Sequence, residues 1–413
     1  MVVAIDLSEQ MILLDRCLES VIDTAQKSQQ RKEHLATSAA YFLIGSFCSD
    51  GDIHVAHMAM CPLPWSSFLF SNITKRLQSG DALSKSLDDE WIADNAEKVT
   101  RILPGGIHIV GLAWFSDRST YNLQKAMITR SLARIQRTTN LLTTLSINSV
   151  SDQMALIFVE PPAGKPTGLV IDVVRRGPDS PTKVSFSALD WIPVVSSASA
   201  KVCLNVPTRQ KHSHFFTEFV AAIRPFAENL LSCPLSEWLL LFVFFRSYHQ
   251  IQIRAAVPAK SNVGSAITAV KHHLIRSLTA RAELQYESMD VVEEGSAAPC
   301  SVHQMPRPAT TILYTHPAIL LSDYLFEADT VEDAQKNFDE LLGLKTSIEH
   351  IDEGWERSLE IEEMETIRAP LDDTPIANLR SKEDDNTHIF SLLIALSVIV
   401  GVVSIVVYFV MAK

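Results

Sequence analysis

The C-terminal segment carries no charged side chain and constrains the fold more than any other feature of the chain. Residues 389–412 contain no Asp, Glu, Lys or Arg, and only Lys413 follows them. As a helix rising about 1.5 Å per residue, these 24 residues are roughly 36 Å long, which exceeds a bilayer core about 30 Å thick. Backbone in lipid must satisfy its own polar groups, so the segment has to be helical. We predict a transmembrane tail anchor here.

The large apolar side chains of this segment favour insertion into lipid by a few tenths of a kcal/mol each. A buried core helix is the alternative, but helices uncharged on all sides over this length are rare in soluble domains. Ser397 and Gly401 have the small-x-x-x-small spacing through which membrane helices can pair. The predicted anchor residues include Ile389, Phe390, Leu393, Leu396, Val400, Val403, Val407 and Val410.

The N-terminus lacks the features of a secretory signal. Asp6 and Glu9 follow Met1 almost at once and leave no uninterrupted apolar stretch. We therefore expect residues 1–388 to stay in the cytosol and the anchor to insert after translation. Without a basic flank at its C-terminal end, the anchor favours the endoplasmic reticulum over the mitochondrial outer membrane.

Negative charge is concentrated near the end of the body. The net charge is −12, and residues 327–365 hold 14 acidic against 3 basic side chains. This acid excess disfavours nucleic-acid binding, which needs a dense basic surface. The acidic stretch indicates either a docking surface for a basic partner or the solvated side of amphipathic helices. Val331, Ala334, Phe338, Leu341 and Leu342 share one helical face behind Thr330 and Asp333, which form a capping-box pattern, and Ile348, Ile351, Trp355 and Leu359 continue a comparable stripe.

The order of helical and strand patterns predicts a mixed α/β fold. We expect two α/β domains at 1–200 and 201–325, acidic amphipathic helices at 326–370, a linker at 371–388 and the anchor at 389–412. The predicted helices are 8–31, 86–102, 121–137, 213–231 and 264–286. The predicted strands are 41–47, 53–60, 107–115, 154–159, 169–175, 183–189, 202–206, 251–257 and 310–314.

The segment from Gly105 to Asp117, after a helix, a hairpin and a second helix, resembles the MPN domain, whose active members are zinc isopeptidases. The resemblance places Trp114 and Ser116 where the two zinc-binding histidines belong. Neither residue binds zinc well, and a catalytic zinc needs about three protein ligands. The resemblance therefore implies an inactive MPN-like N-terminal domain.

No other pattern in the sequence predicts a catalytic, cofactor or metal site. His212 and His214 form a His-x-His tripeptide, but Phe215 follows where proline belongs. His54 and His57 have odd spacing on a strand, which predicts that they point to opposite faces. The six cysteines form no C-x-x-C pair and are interpreted as small core residues.

A basic stripe on the third predicted helix is the candidate partner surface. Arg130, Arg134 and Arg137 recur at helical spacing, with Lys125 nearby. Such a stripe can meet acidic lipids or an acidic partner, and it can equally be an ordinary solvated face.

Three short motifs together with the tail anchor resemble the odorant-response-abnormal-four family, in particular its nematode branch. The motifs are residues 41–45 (YFLIG), 103–111 (LPGGI followed by HIVG, with Ile109 and Gly111 as the matching positions) and 305–308 (MPRP). The resemblance implies a non-enzymatic adaptor that helps a subset of seven-helix chemosensory receptors leave the endoplasmic reticulum and reach cilia. It also implies a partner, the cysteine protease of the ufmylation pathway. The competing hypotheses are a membrane-tethered hydrolase with an unrecognised site and a tether at another organelle.

Overall fold

The computed structural model describes residues 10–31, 38–63, 87–142, 151–162, 164–175, 179–199, 250–292 and 306–354. All of them belong to one compact unit that spans Met1–Pro299 and His303–Leu359. The predicted anchor, the linker and the elements predicted at 202–206 and 213–231 lie outside the described residues. None of the helices within the described ranges combines the length and the apolar character needed to cross a bilayer.

Eleven strands and five helices alternate along the described ranges, which gives a mixed α/β fold as predicted. The strands are β1 (Met11–Asp15), β2 (Ser38–Phe47), β3 (Ile53–Met60), β4 (His108–Ser116), β5 (Gln153–Val159), β6 (Thr167–Asp172), β7 (Ser180–Ser187), β8 (Trp191–Ser199), β9 (Gln250–Pro258), β10 (Arg307–Leu313) and β11 (His316–Leu325). The helices are α1 (Leu18–Arg31), α2 (Asp89–Ile102), α3 (Arg118–Leu142), α4 (Val263–Val292) and α5 (Val331–Leu342).

Strands β1 to β7 close into a barrel in the order β1-β3-β2-β4-β5-β6-β7. β1 lies between β3 and β7 and is parallel to both. The prediction of a helix from residue 8 was therefore wrong up to Cys17, because residues 11–15 form the strand that closes the barrel. Ile12 and Leu14 are fully buried in this strand, and helix α1 starts only at Leu18.

Two hydrophobic clusters lie on opposite faces of the barrel strands. Successive residues of β4 alternate between them: Ala113 and Phe115 pack in the cluster that α1 completes, whereas Leu112 and Trp114 pack with α2, α3, α5 and the β10–β11 hairpin. This alternation is the period-2 pattern of a strand that is buried on both faces. It explains why every residue of β4 is buried.

The remaining strands form two antiparallel pairs, β8 with β9 and β10 with β11. The sequence patterns did not predict β8 or β11. β8 and β9 come from opposite sides of the predicted domain boundary at residue 200 and pair over nine positions. The division into two domains stays a prediction.

Helix ends follow the local sequence closely. Asp88 caps α2 by accepting a hydrogen bond from the backbone N–H of Trp91 (2.7 Å). Helix α5 begins with the predicted capping box of Thr330 and Asp333 and buries Ala334, Phe338 and Leu342, as the apolar stripe predicted. The described part of the second stripe, residues 348–354, does not form an α-helix. Residues 348–350 form a single 3-10 turn, and Asp352 then pairs with Thr310 as an isolated bridge.

Candidate functional site

One cluster of three potential ligand groups stands out among the described residues. It consists of Asp15 at the end of β1, Cys17 just before α1, and His316 at the start of β11. The ligand atoms of the three side chains all lie within 4.8 Å of one another. Asp15 and His316 are buried, whereas Cys17 is half-buried.

Backbone groups hold the carboxylate of Asp15 in place. The N–H of Cys17 donates to Oδ1 (2.9 Å), and the N–H of Leu189 donates to Oδ2 (3.0 Å). Burial alone raises the pKa of this carboxyl, but the hydrogen bonds from Cys17 and Leu189 and the nearby His316 outweigh it and lower the pKa. Asp15 is therefore a fixed, buried anion at neutral pH.

The imidazole of His316 points its Nε2 at this anion. Nε2 lies 3.6 Å from Oδ2 of Asp15 and has no hydrogen-bond partner, although the side chain is only 8% exposed. A hydrogen bond to the backbone of Ala56 raises the pKa of the imidazole slightly. Burial lowers the pKa of His316 despite the opposing charges of Asp15 and Asp190. The ring is therefore neutral at neutral pH, with Nε2 beside the carboxylate of Asp15.

Cys17 is a poor nucleophile in this setting. Burial, the hydrogen bond to the side chain of Asp15 and the negative charge of that group raise the pKa of the thiol to about 12. Only the thiolate attacks carbonyl groups efficiently, and at neutral pH almost none is present. The cluster is better suited to holding a cation than to covalent catalysis.

A second buried polar group fixes the LPGGI motif at residues 103–107. Arg276 of α4 is 1% exposed, and its guanidinium donates to the backbone carbonyls of Leu103, Pro104 and Ile107 at 3.0 Å each. It also donates to Nδ1 of His108 at 2.9 Å. Burial lowers the pKa of Arg276 to about 10, which leaves it charged at neutral pH.

The two glycines of this motif let the chain pass between α4 and β9. A Cβ at Gly105 would lie 2.0 Å from the backbone oxygen of Ala269, and one at Gly106 would lie 2.2 Å from that of Ala256. Gly106 also has a positive φ of 82°. The motif that carried the family resemblance is thus a packing junction.

The predicted basic surface is partly neutralised within the protein. Arg134 forms an ion pair with Asp89 of α2 (2.8 Å), and Arg130 lies 3.7 Å from the same carboxylate. Arg137 is exposed one turn further along α3. Lys125 pairs with Asp179 (2.6 Å). Because these pairs are largely exposed, they are weak, and the arginines stay accessible as a predicted partner surface.

The histidine positions suggested by sequence do not converge. Trp114 and Ser116 are fully buried in β4. Nε2 of His57 donates to the backbone oxygen of Leu342 (2.9 Å), whereas His54 lies near Asp50, Asp52 and Lys260. The residues His212 and His214, like the eight predicted anchor residues, lie outside the described ranges.

Sequence reasoning missed the Asp15–Cys17–His316 cluster. Asp15 and Cys17 fall within the helix that the sequence predicts at 8–31, and His316 lies in a strand that the sequence does not predict. No local spacing links residue 316 to residue 15, because the barrel and the β10–β11 hairpin bring them together.

Comparison of the sequence with known proteins identifies the family of this chain. The Odorant response abnormal 4-like family pattern matches residues 41–235 and 249–353. The chain belongs to this family. It is 43% identical to "Odorant response abnormal protein 4" of Caenorhabditis elegans over 452 aligned positions, which cover 98% of this chain and 94% of the relative.

Similarity to solved structures is weak. UfSP from C. elegans aligns with 82% of this chain and 57% of its own length, at 10% identity and a TM-score of 0.33. A protein from Salinibacter ruber aligns with 42% of this chain and 90% of its own length, at 14% identity and a TM-score of 0.23.

Proposed function

We propose that this protein is a non-enzymatic, tail-anchored adaptor that promotes the folding, exit and ciliary localisation of a subset of seven-helix odorant receptors. The observation that carries the proposal is the near full-length relationship to a protein named for its role in odorant response. The uncharged segment at 389–412 supports attachment to the endoplasmic reticulum membrane, with the body in the cytosol.

We propose that the folded body makes the contacts with other proteins. The exposed arginines of α3 are the proposed partner surface, and the MPN-like relationship of the barrel remains part of the proposal. Cys17 is held as a thiol beside Asp15, which supports an adaptor over a cysteine hydrolase. The ufmylation-specific cysteine protease is the proposed partner on the strength of the sequence resemblance.

Rescue of receptor transport tests the proposal directly. In C. elegans sensory neurons that lack the relative, the full-length chain should restore a fluorescent odorant receptor to the cilia. A chain ending at Thr387 should be expressed but should neither restore transport nor sediment with membranes on its own. Normal receptor transport by the truncated chain would refute the role of the anchor.

Partner capture separates the competing functions. Full-length chain purified in detergent should retain the ufmylation protease or a receptor, and charge reversal of Arg130, Arg134 and Arg137 to Glu should weaken that retention. If the charge-reversed variant retained both proteins as well as the wild type does, α3 would not be the contact surface.

Glycosylation tests the topology separately. Asn72 lies in a glycosylation sequon, so a glycosidase-sensitive mass shift in microsomes would place the body in the lumen instead.

A further inference from the structure

We propose that Asp15, Cys17 and His316 bind a zinc ion through one carboxylate oxygen, the Cys17 sulfur and the Nε2 of His316. Thiolate, imidazole and carboxylate are the groups that bind zinc in proteins. The site is independent of the proposed adaptor role, because it joins two parts of the fold and needs no substrate.

The geometry requires only small side-chain adjustments. Zinc lies about 2.3 Å from sulfur and about 2.0–2.2 Å from nitrogen or oxygen, so tetrahedral ligand atoms are roughly 3.3–3.6 Å apart. Nε2 of His316 and Oδ2 of Asp15 are already 3.6 Å apart. No two ligand atoms of the set are more than 4.8 Å apart, and side-chain movements of about 1 Å bring this distance to the tetrahedral value.

The unpartnered Nε2 is the observation that points to a ligand. A histidine that binds a metal usually donates its other ring N–H to a carbonyl or carboxylate, which fixes the tautomer. The backbone of Ala56 is the hydrogen-bond partner of the imidazole that could fill that role. Nε2 is buried without a hydrogen-bond partner, and a buried polar atom left unpartnered costs free energy.

Charge balance also favours a divalent ion. When zinc binds, the S–H bond of Cys17 breaks, the sulfur–zinc bond forms and the proton leaves to solvent. The thiolate and the carboxylate then neutralise the two charges of the ion, so the buried site is neutral overall. The three protein ligands leave a fourth position that a water molecule can fill.

Metal titration of the full-length chain in detergent tests the site. After removal of metals with a chelator, the protein should take up one zinc per chain, with tighter binding at higher pH because Cys17 loses a proton. Cobalt should give the near-ultraviolet absorption of a thiolate ligand. Cys17→Ser should abolish that band, and both this variant and His316→Gln should bind zinc at least about tenfold more weakly.

Cys48→Ser is the matched control. Cys48 is another half-buried thiol beside two aspartates, with its pKa also raised to about 12 by burial, Asp50 and Asp52. Its variant should keep full zinc uptake and the cobalt band. The proposal is overturned if the wild-type chain takes up no zinc, if cobalt shows no thiolate band, or if Cys17→Ser binds as well as Cys48→Ser. The cobalt spectrum of the wild type does not depend on any variant folding.

Discussion

Replacing Arg276 by Met tests whether the LPGGI motif is held by the buried guanidinium. Met fills a similar volume but cannot donate, so three backbone carbonyls and Nδ1 of His108 lose their partner. A buried acceptor left unsatisfied costs about 1–3 kcal/mol. Part of this cost is offset because Met needs no desolvation of a charge. With four acceptors affected and the removed charge offsetting part of the cost, we expect the free energy of unfolding to fall by about 3–5 kcal/mol.

Thermal unfolding of the full-length chain measures this loss. An unfolding entropy near 0.75 kcal/mol per kelvin, for the compact unit of about 350 residues, converts the loss into a midpoint about 4–7 °C lower. Arg130→Met is the matched control, since that side chain is 61% exposed and its ion pair should contribute less than about 1 kcal/mol. Equal midpoints for the two variants would refute the argument that Arg276 fixes the motif. Faster amide exchange at Ile107 would locate the loss at this junction.

Two further predictions concern the same junction. Gly106→Ala should lower the unfolding midpoint clearly more than Gly51→Ala. Both glycines have a positive φ, but only at Gly106 would a Cβ lie 2.2 Å from a backbone oxygen. Similar midpoints for the two variants would contradict this reasoning. Burial, reinforced by the charge of Arg276, lowers the pKa of His273 from 6.5 to about 3. Between these two pH values the unfolded chain binds a proton at this residue and the folded chain does not. The free energy of unfolding therefore falls as the pH decreases from 6.5 to about 3. His273→Asn keeps an acceptor for the N–H of Gly105 and cannot titrate, so its midpoint should drop less between pH 7 and pH 4, whereas an unchanged pH dependence would exclude His273 as the cause.

Elements with self-contained signals could be predicted from the sequence. β4 is a continuous apolar run that starts after two glycines, and α5 carries both a capping box and a clean helical stripe. The hairpin of β2 and β3 is set by the turn between Phe47 and Ile53. In each case the neighbouring residues alone decide the structure.

Elements that depend on distant partners were missed. The apolar residues of β1 fit a helical stripe when read together with α1, and only pairing with β3 and β7 makes them a strand. β11 starts with His316 and Pro317 and shows no clear alternation, yet it pairs with β10 over most of its length. The Asp15–Cys17–His316 cluster combines both of these elements. It could not be predicted, because its geometry exists only after the barrel and the hairpin have formed.

The position of β1 has a consequence for how the protein is made. β1 precedes the other strands of the barrel in the chain, and one of its two neighbours is β7, the barrel strand that is synthesised last. Until then, this apolar strand has an open edge that can pair with other chains. Because such long-range pairing is slow, the nascent chain should depend on chaperones for much of its synthesis, and conditions that stall translation before Ser187 should favour aggregation.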